Sequence, residues 1–268
     1  MSSFTTPPPP PPWTAPQPAG NQPPRFPDKG TWPPGPYRSA QRRTTVASVS
    51  HAIAAFAAVV GAYVTLQVFP LLDKADRFQL TMAEEEAWIE SFEAVTGFES
   101  ITAFIAIVTL MMWLSRSVDN TPALGGGIAR RGPRWAIGVW FIPIVNVVMP
   151  ALILRDLARR ISQDGKGHDR LVLAWWLIYW GPVVLGIYSA FLPAGGTDSV
   201  RDSYTLVFVI GLVNALGYIM TIVVMRRLQQ DADFWTARQE QEREAARFAT
   251  TAAPEPPGPP RSSDGGWR

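Results

Sequence analysis

Apolar positions in this chain come mainly in long unbroken blocks separated by short charged stretches, with little alternation of apolar and polar residues. The first block, residues 46–72 (VASVSHAIAAFAAVVGAYVTLQVFPLL), holds no Asp, Glu, Lys or Arg. About 20 apolar residues cross the hydrocarbon core of a bilayer, so the block predicts a transmembrane helix. With 45 residues ahead of it and so long an apolar run, it does not read as a cleavable signal. Further blocks at 96–114, 171–192 and 203–225 predict three more spans. A fifth, 135–154 (WAIGVWFIPIVNVVMPALIL), is equally apolar but is interrupted by Pro143, Asn146 and Pro150. An interior proline deletes a helical hydrogen bond and clashes with the preceding turn. The expected fold class is all-α: a polytopic helical membrane protein with four transmembrane helices plus a Pro-broken re-entrant or interfacial segment. Five full spans are the alternative.

The stretches between the blocks refine this picture. Residues 73–99 are acidic, and Thr81 followed by Glu84 forms a capping-box start for a helix that continues into the second span. Its clustered carboxylates read as a solvated helix face in preference to a cation site. Ala54, Ala57, Ala58, Gly61 and Ala62 place small residues at i,i+4 spacing in the first span, which permits close helix approach. In the same span His51 reads as a packed neutral imidazole, with a pH sensor as the sharper reading. Gly125-Gly126-Gly127 lacks the Gly-Lys-Ser/Thr ending of a phosphate loop and reads as a flexible linker. Past the last span, Arg227–Asp231 and Arg238–Glu242 at i,i+4 predict a charged cytosolic helix over 226–249, so the helical membrane domain occupies 46–235.

Composition adds the ends. Of 26 prolines, 14 fall in residues 1–45 and five in 254–268. Such segments cannot bury enough apolar surface to offset the entropy of ordering, which predicts disordered Pro-rich tails at 1–45 and 250–268. Each is either a spacer or a docking ligand for a Pro-binding module. The absence of cysteine excludes disulfides, thiolate nucleophiles and cysteine metal sites. His51 and His168 are the only histidines, and no Gly-x-Ser-x-Gly or His-Glu-x-x-His occurs, so no enzyme, cofactor or metal is expected. The net charge of +2 gives no case for nucleic acid.

The distribution of charge matters more than its sum. Lys and Arg near the ends of spans collect on the cytoplasmic side. If 135–154 returns to the side it left, 17 such cations lie inside and three (Lys74, Arg77, Arg201) outside. If it crosses, eight lie inside and 12 outside, which inverts the rule. Both termini are therefore expected in the cytoplasm of a multi-pass protein of the cell membrane. Trp113, Trp135, Trp175, Trp176 and Trp235 would then gather near the cytoplasmic interface.

The run MWLSR at 112–116, GPRWAIGVWFIPIVNVVMP at 132–150, ILRDL at 153–157, AWW at 174–176 and RRLQ at 226–229 resemble an actinobacterial family of integral membrane proteins catalogued as domain of unknown function 4328. The resemblance covers about residues 95–235 and is carried by Trp113, Gly132, Pro133, Trp135, Trp140, Phe141, Pro143, Asn146 and Pro150. It implies a membrane protein and no established activity.

The function expected is a structural or interaction module of the cell membrane. The alternative is a small transporter or channel subunit that uses the broken helix around Asn146, with Trp140, Pro143, Pro150 and Asn214 as candidate structural or polar-cavity residues. The Asn146 amide is expected either to satisfy backbone groups exposed by the break or to line a polar cavity. Expected partners are the lipid bilayer, proteins recruited by the Pro-rich tails, and further copies of the chain in a homo-oligomer.

Overall fold

The computed structural model describes residues 37–163, 167–191 and 196–251. The expected disordered tails therefore lie mostly outside the described residues. Their inner edges are helical: α1 (Gln41–Leu66) starts at Gln41, ahead of the expected boundary at residue 46. All secondary structure among the described residues is helical: α1; α2 (Val68–Asp76); α3 (Met82–Asn120); α4 (Pro133–Gly138) and a 3-10 turn (Val139–Phe141); α5 (Pro143–Ile161); α6 (Asp169–Ser189); α7 (Gly196–Thr251). Four helical stretches are long and apolar enough to cross a membrane: α1 with α2, α3, α6 and α7.

Local chemistry sets the boundaries. Pro70 has no N–H for the carbonyl four residues back, Leu66, and the chain is interrupted there, at Gln67, before resuming as α2. The Thr81 side chain accepts from the Glu84 N–H, and Glu84 in turn accepts from the Thr81 N–H, so the capping box that opens α3 is present. The helix then runs 39 residues without a break. At the usual rise per residue that is about 58 Å. The last span and the charged helix after it are likewise one continuous helix, α7, of 56 residues.

Small residues place α1 at the middle of the bundle. Ala47, Ala54, Ala57, Ala58 and Ala62 are at most 3% exposed, packed between α3 and α7. A Cβ on Gly211 of α7 would sit 3.1 Å from the Ala62 Cβ and 3.3 Å from the Ala58 carbonyl oxygen, so the two backbones nearly touch. Outward-facing positions are large and apolar, among them Phe56, Tyr63, Ile101, Phe104 and Ile187. The helices form an arc in the order α3, α1, α7, α6, and the α4–α5 hairpin bridges α3 to α6 at one end.

The break in 135–154 falls at Ile142, the one extended residue, with Pro143 opening α5 as its first residue. Of the two prolines expected to break this segment, Pro150 does not: it lies buried inside a continuous α5. Its ring is turned inward, toward Trp113, Trp175 and Met225, and packing on that face offsets one missing bond.

Candidate functional site

The two ends of the hairpin meet. Arg160, 2% exposed near the end of α5, donates through Nη1 to the Gly126 carbonyl oxygen (3.0 Å) and through Nε to Asp156 Oδ2 (3.0 Å). The Arg130 N–H reaches the same Asp156 oxygen at 3.2 Å. Chain before the hairpin is thus tied to chain after it, and the segment enters and leaves the bundle at the same end. The Gly125–Gly127 run is correspondingly not a loose linker: a Cβ on Gly126 would lie 2.9 Å from the Arg160 carbonyl oxygen. Further polar contacts lock this end to the rest. Trp235 Nε1 donates to the Ile161 carbonyl at 2.8 Å, and His168 Nε2 donates to Asp231 Oδ2, 2.7 Å away, on a side chain only 2% exposed.

The inner face of the hairpin packs the motif aromatics. Trp113, Trp140 and Pro150 meet Trp175, Leu154 and Met225 around a residual void of about 10 Å³. That is room for at most one water. Trp140 Nε1 donates to the Ala136 carbonyl at 3.1 Å, and its ring meets Tyr179 edge-on at 6.0 Å. Trp113, Trp175 and Trp235 are 1%, 2% and 6% exposed, so three of the five tryptophans expected at an interface belong to the core. Their burial follows from the hairpin, which covers them. Trp135 and Phe141 remain exposed, Gly132 caps α4, and Pro133 is its first residue.

The hairpin fills only part of the gap between α3 and α6. Beyond its tip lies a cavity of about 260 Å³ whose lining includes Ile107, Asn146, Tyr179, Asn214 and Tyr218. Asn146 and Asn214, predicted separately from two apolar blocks, are therefore brought together. Asn146 Oδ1 is buried and has no hydrogen-bond partner among the described residues. The expectation that this amide satisfies the broken backbone is not met by its oxygen. Pro150 also withholds the helical N–H from the Asn146 carbonyl, four residues before it. The unpartnered side-chain oxygen and the carbonyl that loses its usual helical donor thus belong to the same residue, Asn146.

The chain matches the family described as Domain of unknown function (DUF4328) over residues 79–230, more than half its length. The chain belongs to this family. The matched region runs from the α2–α3 corner through α3, the hairpin and α6 into α7, and leaves out α1, the helix packed between α3 and α7. No curated protein and no solved structure matches the chain.

Sequence reasoning missed Arg160 and Asp156 as the clasp, although a charged i,i+4 pair beside an apolar block was legible. Tyr179 and Tyr218 carried no such signal, because nothing in an apolar block marks which face looks into a cavity. Among the described residues no group of three or more His, Asp or Glu side chains converges on a metal position.

Proposed function

We propose that this family member is a multi-pass protein of the cell membrane, with both termini in the cytoplasm, that acts as a structural or interaction module. The single observation that carries the reading is the Arg160–Gly126–Asp156 clasp, which returns the hairpin to the end it left. With that connection, the cation-rich loops share one end of the bundle. Arg201 is paired with Asp73 (2.9 Å) and Lys74 with Glu84 at the other end. Four apolar stretches with large apolar side chains turned outward supply the surface that lipid would cover. The Pro-rich tails and the exposed end of α7 would then project into the cytoplasm, where partners reach them, and further copies of the chain could associate through the bundle. The absence of cysteine permits a direct test. A lone cysteine at Gln163, just after α5, should react with a membrane-impermeant maleimide only after cells are opened, and one at Gln79, in the α2–α3 corner, in intact cells. The reverse pattern would sink the topology.

A second reading, a small transport subunit, is favoured by one observation: the unpartnered Asn146 Oδ1 beside Asn214 in a shared cavity. Vesicles holding the full chain should then pass water or glycerol faster than empty vesicles, and Asn146→Leu should remove the excess without lowering the amount of folded protein. Permeability equal to that of empty vesicles eliminates this reading.

A further inference from the structure

A second groove, also about 260 Å³, runs between α5 and α6 away from the Asn146 cavity. Its walls include Leu152, Leu173 and Trp176, and its mouth carries Arg155, Asp169 and Arg170. Leu173 is 57% exposed on the outer surface of the bundle, so the groove opens sideways among apolar side chains. Trp176 is held as a fixed wall by its Nε1 bond to the Val147 carbonyl (2.8 Å). It lies seven residues along α6 from Asp169, about 10 Å below the mouth.

Charge at the mouth is unbalanced. Arg155 binds Asp169 with both Nε (3.0 Å) and Nη2 (2.8 Å), and Arg159 grips the same carboxylate with Nε (3.1 Å) and Nη2 (2.5 Å). One carboxylate is thus shared by two guanidinium groups. Arg170 is exposed and forms no ion pair among the described residues. The net charge of this cluster is about two positive. The first turn of α6 adds to it, since no side chain caps that helix and its free N–H groups sit at the same level.

We infer that this groove binds an anionic phospholipid of the cytoplasmic leaflet, its phosphate on Arg155 and Arg170 and an acyl chain along Leu152, Leu173 and Trp176. The inference rests on the membrane reading above. The shape pairs a cationic mouth with an apolar slot one to two helical turns deeper, which matches a headgroup and the start of its chain. Selectivity for an anionic over a zwitterionic lipid follows from Asp169: both its oxygens are taken by arginines, so among the described residues lining the mouth no carboxylate is left to receive a choline ammonium.

The test uses the full-length chain extracted from membranes, offered equal amounts of phosphatidylglycerol and phosphatidylcholine and examined by native mass spectrometry. One phosphatidylglycerol per chain should be retained in preference to phosphatidylcholine. Arg170→Gln should weaken retention about fivefold, and Arg155→Gln with Arg170→Gln about 25-fold. Because Arg170 is exposed and unpaired, its variant should melt like the parent in lipid-free detergent, which separates lost binding from lost fold. Leu173→Trp, which leaves every charge in place and fills the slot, should also release the lipid. Equal retention of the two lipids, or unchanged retention in Arg170→Gln and Leu173→Trp, would overturn the inference. So would a loss confined to Arg42→Gln with Arg43→Gln, in the groove beside α1 and α3. A chain stripped from membranes by alkaline carbonate would instead refute the membrane reading itself.

Discussion

At the scale of single residues, the hairpin depends on positions that look unremarkable in the sequence. Gly126 is the clearest. A methyl group there would press 2.9 Å against the Arg160 carbonyl oxygen and 3.2 Å against that of Thr121, both backbone atoms that cannot swing aside. Gly126→Ala should therefore destabilise the protein by roughly 1–3 kcal/mol, as overpacking of a tight contact does. The melting temperature should fall accordingly. Gly138→Ala is the control: its backbone is already helical and nothing lies within 4 Å of the added carbon. Its melting temperature should hold or rise, because alanine narrows the unfolded ensemble. Asn146 and Asn214 were legible because an amide inside an apolar block stands out. Gly126 was not, because a glycine-rich stretch looks the same whether it is loose or tightly packed.

Whole elements follow local rules where those rules are strong. The Thr81–Glu84 capping box was readable, and it starts α3 as expected. Its Glu84 carboxyl is held down to about 2, first by the hydrogen bond to the Lys74 ammonium and then by the Thr81 N–H and hydroxyl. A carboxyl whose folded value lies below its unfolded value stabilises the fold above the unfolded value, and that contribution fades as pH falls through the folded one. The difference in melting temperature between the parent and Glu84→Gln should thus be full near neutral pH, shrink below about 4.5, and vanish below about 2. A difference that stays constant across that range would mean the ion pair at this corner contributes nothing. Element boundaries were less legible. Gln41 joins α1 ahead of the apolar block, where Thr44 lies 3.0 Å from Gln229 Oε1 on α7. Pro150 stays helical with its ring packed inward toward Trp113, Trp175 and Met225, a condition that its own sequence neighbourhood does not record.

Over the whole molecule, the decisive fact is how a fifth apolar segment is accommodated beside four helical stretches long enough to cross a membrane. The hairpin enters the gap between the two ends of the arc, α3 and α6, and turns back at Ile142. Its inner face is buried against Trp113 and Trp175, its tip leaves the Asn146 cavity, and its outer edge forms the arginine-lined groove with α6. The labelling pattern expected of Gln79 and Gln163 belongs to this scale, because it reads the path of the entire chain. The all-helical class, the four long apolar helices, the capped start of α3 and the asymmetry of charge were legible along the chain, because block length, composition and local hydrogen bonding are properties of neighbouring residues. That the fifth segment returns, that Trp140 packs against a core while Trp135 stays exposed, and that two asparagines 68 positions apart share one cavity emerges only in three dimensions. Those outcomes rest on contacts between distant parts of the chain, above all Arg160 with Gly126, and no local pattern encodes which distant partner a side chain will meet.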